Sequence, residues 1–174
     1  MSEPGRSSKA FTIREACGDD AAGMQQFLAD LVAEKLPVVF RKDAPPTVDE
    51  ERAVVEALAA SPRSTFLIAT VGPKVVGVLD FHGCTKGQRR HSGGFGVSVA
   101  KSWRRRGVAT ALIEHVESWA RSKEFRRIEL EVFENNPGAV SLYKKLGFEV
   151  EGRKRGAVEV DGTFVDVITM AKLI

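Results

Sequence analysis

The segment 93–122 constrains the fold more than any other part of this chain. A short glycine-rich stretch, GGFGVSVA, leads into the basic loop KSWRRRG, and an apolar stripe at helical spacing follows. The stripe consists of Val108, Leu112, Val116 and Trp119. A strand that passes through a tight loop into a helix presents the unpaired N–H groups of the first helical turn, which bind anions. The pattern therefore predicts a phosphate-binding loop; the alternative is a solvated loop in which Gly107 only makes a turn.

Hydrophobic periodicity and turn residues predict the other elements. The other strands are 10–16, 64–71, 74–82, 126–134 and two more around the Asp161–Gly162 turn. Three other helices are predicted. The first is capped by Asp19 or Asp20, and the second begins at Thr47, which forms a capping box with Glu50. The third runs from about Asn136 and ends at Gly147. The order β-α-α-β-β-β-α-β-α-β-β predicts one mixed sheet with helices on its faces, an α/β (α+β) domain.

The length of 174 residues predicts one domain with a substantial core. No internal repeat or second-domain linker interrupts it. The first nine residues, MSEPGRSSK, lack the apolar core of a signal peptide, and we interpret residues 1–9 as a disordered tail. We therefore expect a single domain over residues 10–174.

Composition excludes several classes of protein. The net charge of +3 favours anionic ligands but is too small to indicate nucleic acid, and the arginines are scattered without interleaved aromatic residues. No apolar run approaches the roughly 20 residues of a membrane span. Two cysteines, Cys17 and Cys84, cannot form a disulfide framework, so we expect a reducing, cytoplasmic setting. The cysteines and histidines show no metal-ligand spacing, so we expect no metal.

Two motifs carry a family resemblance. Arg104-x-x-Gly107-x-Ala109, between a strand and a helix, resembles the Q/R-x-x-G-x-G/A acyl-CoA signature of the GNAT superfamily of N-acetyltransferases. A second hallmark of that superfamily is matched downstream by Asn136-x-x-Ala139-x-x-Leu142-Tyr143-x-x-x-Gly147-Phe148. The resemblance covers roughly residues 10–173, and the C-terminal third is most similar to the bacterial branch that acetylates amino acids and related small amines.

The resemblance implies a GNAT fold with a largely antiparallel sheet of about seven strands, four flanking helices and a splay between the strands at 95–99 and 127–133. In this family the first of these strands hydrogen-bonds the pantetheine arm of acetyl-CoA through its main chain, and the loop amides hold the pyrophosphate. The implied cofactor-binding residues are Val97, Ser98, Val99, Arg104, Arg105, Arg106, Gly107, Val108, Ala109, Thr110, Asn136, Ala139 and Tyr143. Asn136, followed by Pro137, is also a good helix N-cap.

The resemblance gives Tyr143 the role of protonating the leaving thiolate. A phenol with an ordinary pKa of about 10 carries the required proton at neutral pH, although an aromatic residue in the core is the alternative. The family often places a glutamate on the strand before the cofactor loop, but HSGGFGVSVA contains no carboxylate. His91 is the candidate base in that stretch. The other candidates are Glu129, Glu131, Glu134, Asp80 and His82, and the choice among them stays open.

The resemblance thus implies an acetyl-CoA-dependent N-acetyltransferase that moves an acetyl group directly to the primary amine of a small molecule in a ternary complex. The alternatives are a protein N-terminal or lysine acetyltransferase, a catalytically silent CoA-binding module and a nucleic-acid binder. Acidic residues that could attract a cationic amine include Asp43, Glu50 and Asp166. A homodimer through the terminal strands is also possible, as in other members of the family.

Overall fold

A computed structural model describes residues 10–34 and 44–174 of the chain. The tail 1–9 and Asp43 lie outside the described residues. The strands are β1 (Thr12–Glu15), β2 (Ser64–Val71), β3 (Lys74–Gly83), β4 (Ser92–Val99), β5 (Arg127–Phe133), β6 (Glu149–Val160) and β7 (Thr163–Leu173). The helices are α1 (Ala21–Ala33), α2 (Val48–Ala59), α3 (Val108–Ser122) and α4 (Pro137–Lys145). The predicted order and type of these elements are confirmed.

The seven strands form one sheet in the order β1-β2-β3-β4-β5-β7-β6. Every neighbouring pair is antiparallel except β4 and β5, which are parallel. Their pairing covers only Ser92–Gly94 opposite Arg127–Glu129. Beyond Gly94 the two strands part, and each keeps its other neighbour, β3 or β7. The predicted splay between 95–99 and 127–133 is therefore confirmed.

The helices cover the two faces of the sheet and bury a core on each. On one face, α3 packs its apolar stripe against the sheet; the stripe comprises Val108, Leu112, Val116 and the half-buried Trp119. Tyr143 of α4 and Phe148 belong to the same cluster. On the other face, Met24 and Phe27 of α1 pack with Val55 of α2 against the opposite side of the sheet. Because side chains alternate between the two faces along β3 and β4, each residue of these strands contacts either the α3 side or the α1 and α2 side of the sheet.

Two of the three predicted helix caps are present in the structure. Thr47 and Glu50 form the predicted capping box at the start of α2, and the Asn136 side chain accepts from the N–H of Ala139 at the start of α4. Asp20 occupies the N-cap position of α1 but makes no side-chain cap there. Its carboxylate instead accepts two hydrogen bonds from the Arg14 guanidinium, at 2.6 and 2.7 Å, because that cation lies within reach at the end of β1.

Among residues 10–34 and 44–174, the structure contains no helix that combines the length and apolarity needed to cross a bilayer.

Candidate active site

The gap between β4 and β5 opens into a cleft of about 1320 Å³. The cleft runs from the N-terminus of α3 to Tyr143 of α4. All but one of the predicted cofactor-binding residues line it: Val97, Ser98, Val99, Arg104, Arg105, Gly107, Val108, Ala109, Thr110, Asn136, Ala139 and Tyr143. Arg106 is not part of the lining. The splay of the sheet thus brings the two sequence motifs to one space.

The first turn of α3 forms one end of the cleft. Gly107 is the N-cap residue and has a left-handed backbone with φ of 81°. It offers no side chain to the N–H groups of Val108, Ala109 and Thr110, which the helix geometry leaves without intrahelical partners. Among the described residues, apart from the chain neighbours of Gly107, no atom lies within 4 Å of the position that a Cβ on Gly107 would occupy. A set of helical N–H groups without intrahelical partners, at the lining of the cleft, fits the pyrophosphate of acetyl-CoA.

The three arginines of the loop have different surroundings. The Arg104 guanidinium donates through Nε to the Val99 carbonyl at 3.0 Å and pairs at 2.6 Å with Glu34, the C-cap residue of α1. Arg106 lies over the Trp103 ring, with 5.2 Å from its Cζ to the ring centroid. The Arg105 side chain is exposed and borders the cleft. Arg104 therefore ties the end of β4 to α1, and the predicted contacts of all three arginines with the cofactor stay predictions.

The edge of β4 supplies the wall along which we expect the pantetheine arm to lie. Because β5 diverges after Gly94, the β5-facing main-chain groups of residues 95–99 have no strand partner on that side among residues 10–34 and 44–174. Alternate N–H and C=O groups along a strand point to the same edge. An extended pantetheine arm can hydrogen-bond such an edge in the way that an added strand does.

Tyr143 lies at the other end of the cleft and is 8% exposed. Its ring packs edge-on against Phe95 and Phe148, at centroid distances of 6.1 and 6.0 Å. Burial raises the pKa of Tyr143 to about 12. The hydroxyl is therefore protonated throughout the neutral range and can donate a proton. Phe95 was not among the residues predicted for the site, although its place on the strand beside the glycines was a signal for it.

His91, the predicted base, does not line the cleft. It is exposed and precedes Ser92, at the end of β4 where the strand still pairs with β5. Its Nδ1 lies 3.0 Å from the carbonyl oxygen of Gln88. The position of His91 thus gives no support to its predicted role.

The three candidate glutamates near β5 are all ion-paired. Glu129 accepts from Arg89 at 2.8 Å and from Arg127 at 3.3 Å. Glu131 pairs with the Lys154 ammonium, and Glu134 pairs with Arg153. Each of the three carboxylates is thus engaged by at least one cationic side chain.

Asp80 and His82 are the remaining candidates, and both line the cleft. They lie two residues apart on β3 and therefore on one face of the sheet. The distance from His82 Nε2 to Asp80 Oδ2 is 3.0 Å. This hydrogen bond raises the pKa of His82 above its ordinary value. The spacing Asp-x-His on a predicted strand was the signal for this pair in the sequence. The sequence alone does not show which strand lies beside it, so it could not distinguish a catalytic pair from a pair on the protein surface.

The acidic residues that were candidates for binding a cationic amine lie elsewhere. Asp166 on β7 accepts hydrogen bonds from Arg153 Nε at 2.5 Å and from the N–H of Gly156 at 2.7 Å. Glu50 belongs to the cap of α2, and neither residue lines the cleft. Within the part of the chain that the structure describes, no group of three or more His, Cys, Asp and Glu residues is placed to hold a metal ion.

The splayed seven-stranded sheet, with a helix N-terminus and a buried tyrosine at the two ends of the opening, defines the GNAT class of fold. A family model described as the acetyltransferase (GNAT) family matches residues 28–148. The chain belongs to this family, and the enzyme class is that of the GNAT N-acetyltransferases.

Individual relatives agree with this assignment. The L-amino acid N-acetyltransferase AaaT of Escherichia coli (strain K12) is 38% identical over 122 residues, which cover 68% of this chain and 74% of the relative. The crystal structure of a GNAT acetyltransferase from Streptococcus pneumoniae is 29% identical, with a TM-score of 0.88 over 94% of this chain and 99% of that one. The structure of yncA from Salmonella typhimurium with its cofactor acetyl-CoA has a TM-score of 0.84 at 20% identity and covers 94% of both chains. The predicted family and fold are confirmed.

Proposed function

We propose that this enzyme transfers the acetyl group of acetyl-CoA directly to the primary amine of a small molecule, an amino acid or a similar compound. The observation that carries the proposal is the parting of β4 and β5 after Gly94, which opens one cleft from the first turn of α3 to Tyr143. A narrow opening between two strands admits an extended thioester and places both reactants in one site.

Each end of the cleft has a defined role in this proposal. The N–H groups of Val108, Ala109 and Thr110 bind the pyrophosphate, and the open edge of β4 holds the pantetheine arm. When bound, acetyl-CoA supplies the reactive thioester. A main-chain N–H of β4 stabilises the negative charge that develops on the carbonyl oxygen. Tyr143 donates its hydroxyl proton to the leaving sulfur.

The similarity to AaaT, which is named as an L-amino acid N-acetyltransferase, favours a small acceptor over a protein. On the face of the sheet opposite Tyr143, apolar side chains of α1, α2 and β2, among them Leu28, Leu58 and Phe66, line the same cleft. A wall of this kind accommodates a compact side chain. The free thiols Cys17 and Cys84 support a reducing compartment, and the proposed setting is the cytoplasm.

The proposal is tested by isothermal titration with acetyl-CoA, followed by thiol-release assays over three groups of acceptors. These groups are free amino acids, other small primary amines, and peptides with a free N-terminus or lysine. We expect saturable binding of acetyl-CoA and turnover with members of the small-molecule groups. Absence of acetyl-CoA binding would contradict the proposal, and preferential turnover of peptides would replace its small acceptor by a protein. Binding without turnover of any acceptor would favour the silent CoA-binding module.

A further inference from the structure

We propose that His82, oriented by Asp80, is the catalytic base that takes the proton from the acceptor amine. This inference rests on the acetyl transfer proposed above and assigns the one chemical role that the two sequence motifs leave open. The base then comes from β3 and not from β4, the strand that runs into the cofactor loop.

The register of β3 and β4 explains how a side chain of β3 reaches the cleft. Asp80 lies opposite Gly96, and His82 lies opposite Gly94. Neither glycine has a side chain, so β4 presents bare backbone on this face beside the point where β5 diverges. A Cβ on Gly96 would lie 3.0 Å from Asp80 Oδ1. The Asp80 carboxylate thus occupies the space in which a side chain of β4 would otherwise stand.

The hydrogen bond between the two residues determines which nitrogen of His82 reacts. An ionised carboxylate only accepts hydrogen bonds, so His82 donates Nε2–H to Asp80 Oδ2 across 3.0 Å. The lone pair is then on Nδ1, for which the described residues provide no hydrogen-bond donor. The His82 side chain is 60% exposed, and a proton taken up at Nδ1 can leave to solvent.

Charged groups on the neighbouring elements are ion-paired or buried. On β5, Glu129 and Arg127 are paired with each other, and Glu129 is also paired with Arg89. Glu51 of α2 lines the same cleft but is 2% exposed. On β2, the residues opposite His82 and Asp80 are the uncharged Ser64 and Phe66; Arg63, which precedes Ser64, donates to the carbonyls of Cys84 and Arg90.

The proton and electron balance of the reaction is complete with these residues. His82 Nδ1 takes one proton from the ammonium, and the lone pair released on nitrogen forms the new C–N bond as the C–S bond breaks. The sulfur takes the proton of Tyr143, and Tyr143 regains a proton from the nitrogen as it becomes an amide. The proton on His82 passes to solvent, so one proton is released for each acetyl group transferred.

The test compares His82→Gln with Asp80→Asn and with two other histidine variants, His91→Gln and His115→Gln. His115 is exposed on α3 and is not part of the cleft lining, which makes it the matched control. Acetyl-CoA affinity and kcat/KM are measured for each variant from about pH 6 to pH 9.5, a range that includes ordinary histidine and α-amino pKa values. Wild-type binding and turnover are measured first, since their absence would refute the proposed function and not the choice of base.

We expect His82→Gln to keep its affinity for acetyl-CoA and to lose about 100-fold in kcat/KM at pH 7, the ordinary size of a general-base contribution. The loss should shrink at about pH 9.5, where more of the acceptor arrives as a neutral amine. In wild type, kcat/KM should rise as His82 loses its proton. Because Asp80 raises the pKa of His82, Asp80→Asn should move that rise to lower pH.

Three results would overturn the assignment. The first is a His82→Gln enzyme within about twofold of wild type at neutral pH, well below the size of a general-base effect. The second is a loss that is the same at every pH, which would indicate a structural role. The third is a pH-dependent loss in His91→Gln in place of His82→Gln, which would restore the base predicted from the sequence.

Discussion

At the scale of single residues, Tyr143 combines a place in the core with the proposed role of protonating the leaving sulfur. Its ring packs between Phe95 and Phe148, and its hydroxyl has a pKa raised to about 12 by burial. Tyr143→Phe should keep the packing and lose the proton. We expect kcat to fall about 100-fold while acetyl-CoA affinity and thermal stability change little. Steady-state kinetics and titration calorimetry measure this, and an undiminished kcat would remove Tyr143 from the chemistry.

The candidate site was predictable at the residues whose role depends on backbone position. Gly107 and Asn136 were placed correctly because a helix start requires particular residue types, whatever the rest of the fold. Arg104 and His91 show the limit of such reasoning. The ion pair of Arg104 with Glu34 depends on where α1 ends in space, and the position of His91 depends on the register of β4 with β5. Neither relation is encoded in local spacing.

At the scale of elements, the loop before α3 should depend on its backbone more than on its charge. Gly107 has φ of 81°, which a β-branched residue adopts only with strain, whereas the Arg105 side chain is exposed. Gly107→Val should therefore weaken acetyl-CoA binding more than Arg105→Ala does, as measured by titration calorimetry. Gly72→Val is the matched control, since Gly72 has φ of 55° in a turn that does not line the cleft. Equal affinity in Gly107→Val and Arg105→Ala would contradict a cradle made of main-chain N–H groups.

The contact between β1 and the start of α1 should make the free energy of unfolding depend on pH in the acid range. The hydrogen bonds from Arg14 lower the pKa of Asp20 from 3.8 to about 2. A carboxylate with a lowered pKa stabilises the fold above its unfolded pKa, and that stabilisation is lost as the pH falls from about 4 to 2. Half of the Arg14 side chain is exposed, so solvent screening limits the contribution to about 1 kcal/mol at pH 7.

We therefore expect Asp20→Asn to lower the free energy of unfolding at pH 7 by about 1 kcal/mol and to flatten its fall between pH 4 and 2. Urea denaturation at several pH values measures both effects. Asp19→Asn is the control, since Asp19 is the exposed neighbour with the same carboxylate. An equal effect of the two substitutions would show that the ion pair with Arg14 contributes nothing measurable.

The paired end of β4 packs so closely on β3 that an added side chain there should destabilise the fold. A Cβ on Gly93 would lie 2.3 Å from Phe81 Cζ and 2.9 Å from the His82 carbonyl oxygen, and Phe81 is fully buried. Gly93→Ala should lower the free energy of unfolding by about 1–3 kcal/mol, the usual cost of overpacking. Gly23→Ala in α1 is the control, because its new Cβ approaches nothing closer than 3.4 Å. If urea denaturation showed that Gly93→Ala is as stable as wild type, the close packing of β3 on β4 would be contradicted.

At the scale of the whole molecule, the order of elements and the fold class followed from hydrophobic periodicity and turn residues. β2 and α3 match their predicted bounds because each is bordered by strong turn or cap signals. The number of strands and the splay came from the family resemblance, and the order of the strands in the sheet was not predicted, since strand pairing is a long-range property. The predicted homodimer stays a prediction; Phe164, 71% exposed on β7, is one residue at which to test it.

The most direct test of the central claim is a crystal structure of the enzyme with acetyl-CoA. We predict a pyrophosphate bound by the N–H groups of Val108, Ala109 and Thr110, a pantetheine arm along the open edge of β4, and a sulfur within hydrogen-bond reach of the Tyr143 hydroxyl. A pyrophosphate bound away from the first turn of α3, or a thioester outside the opening between β4 and β5, would contradict it.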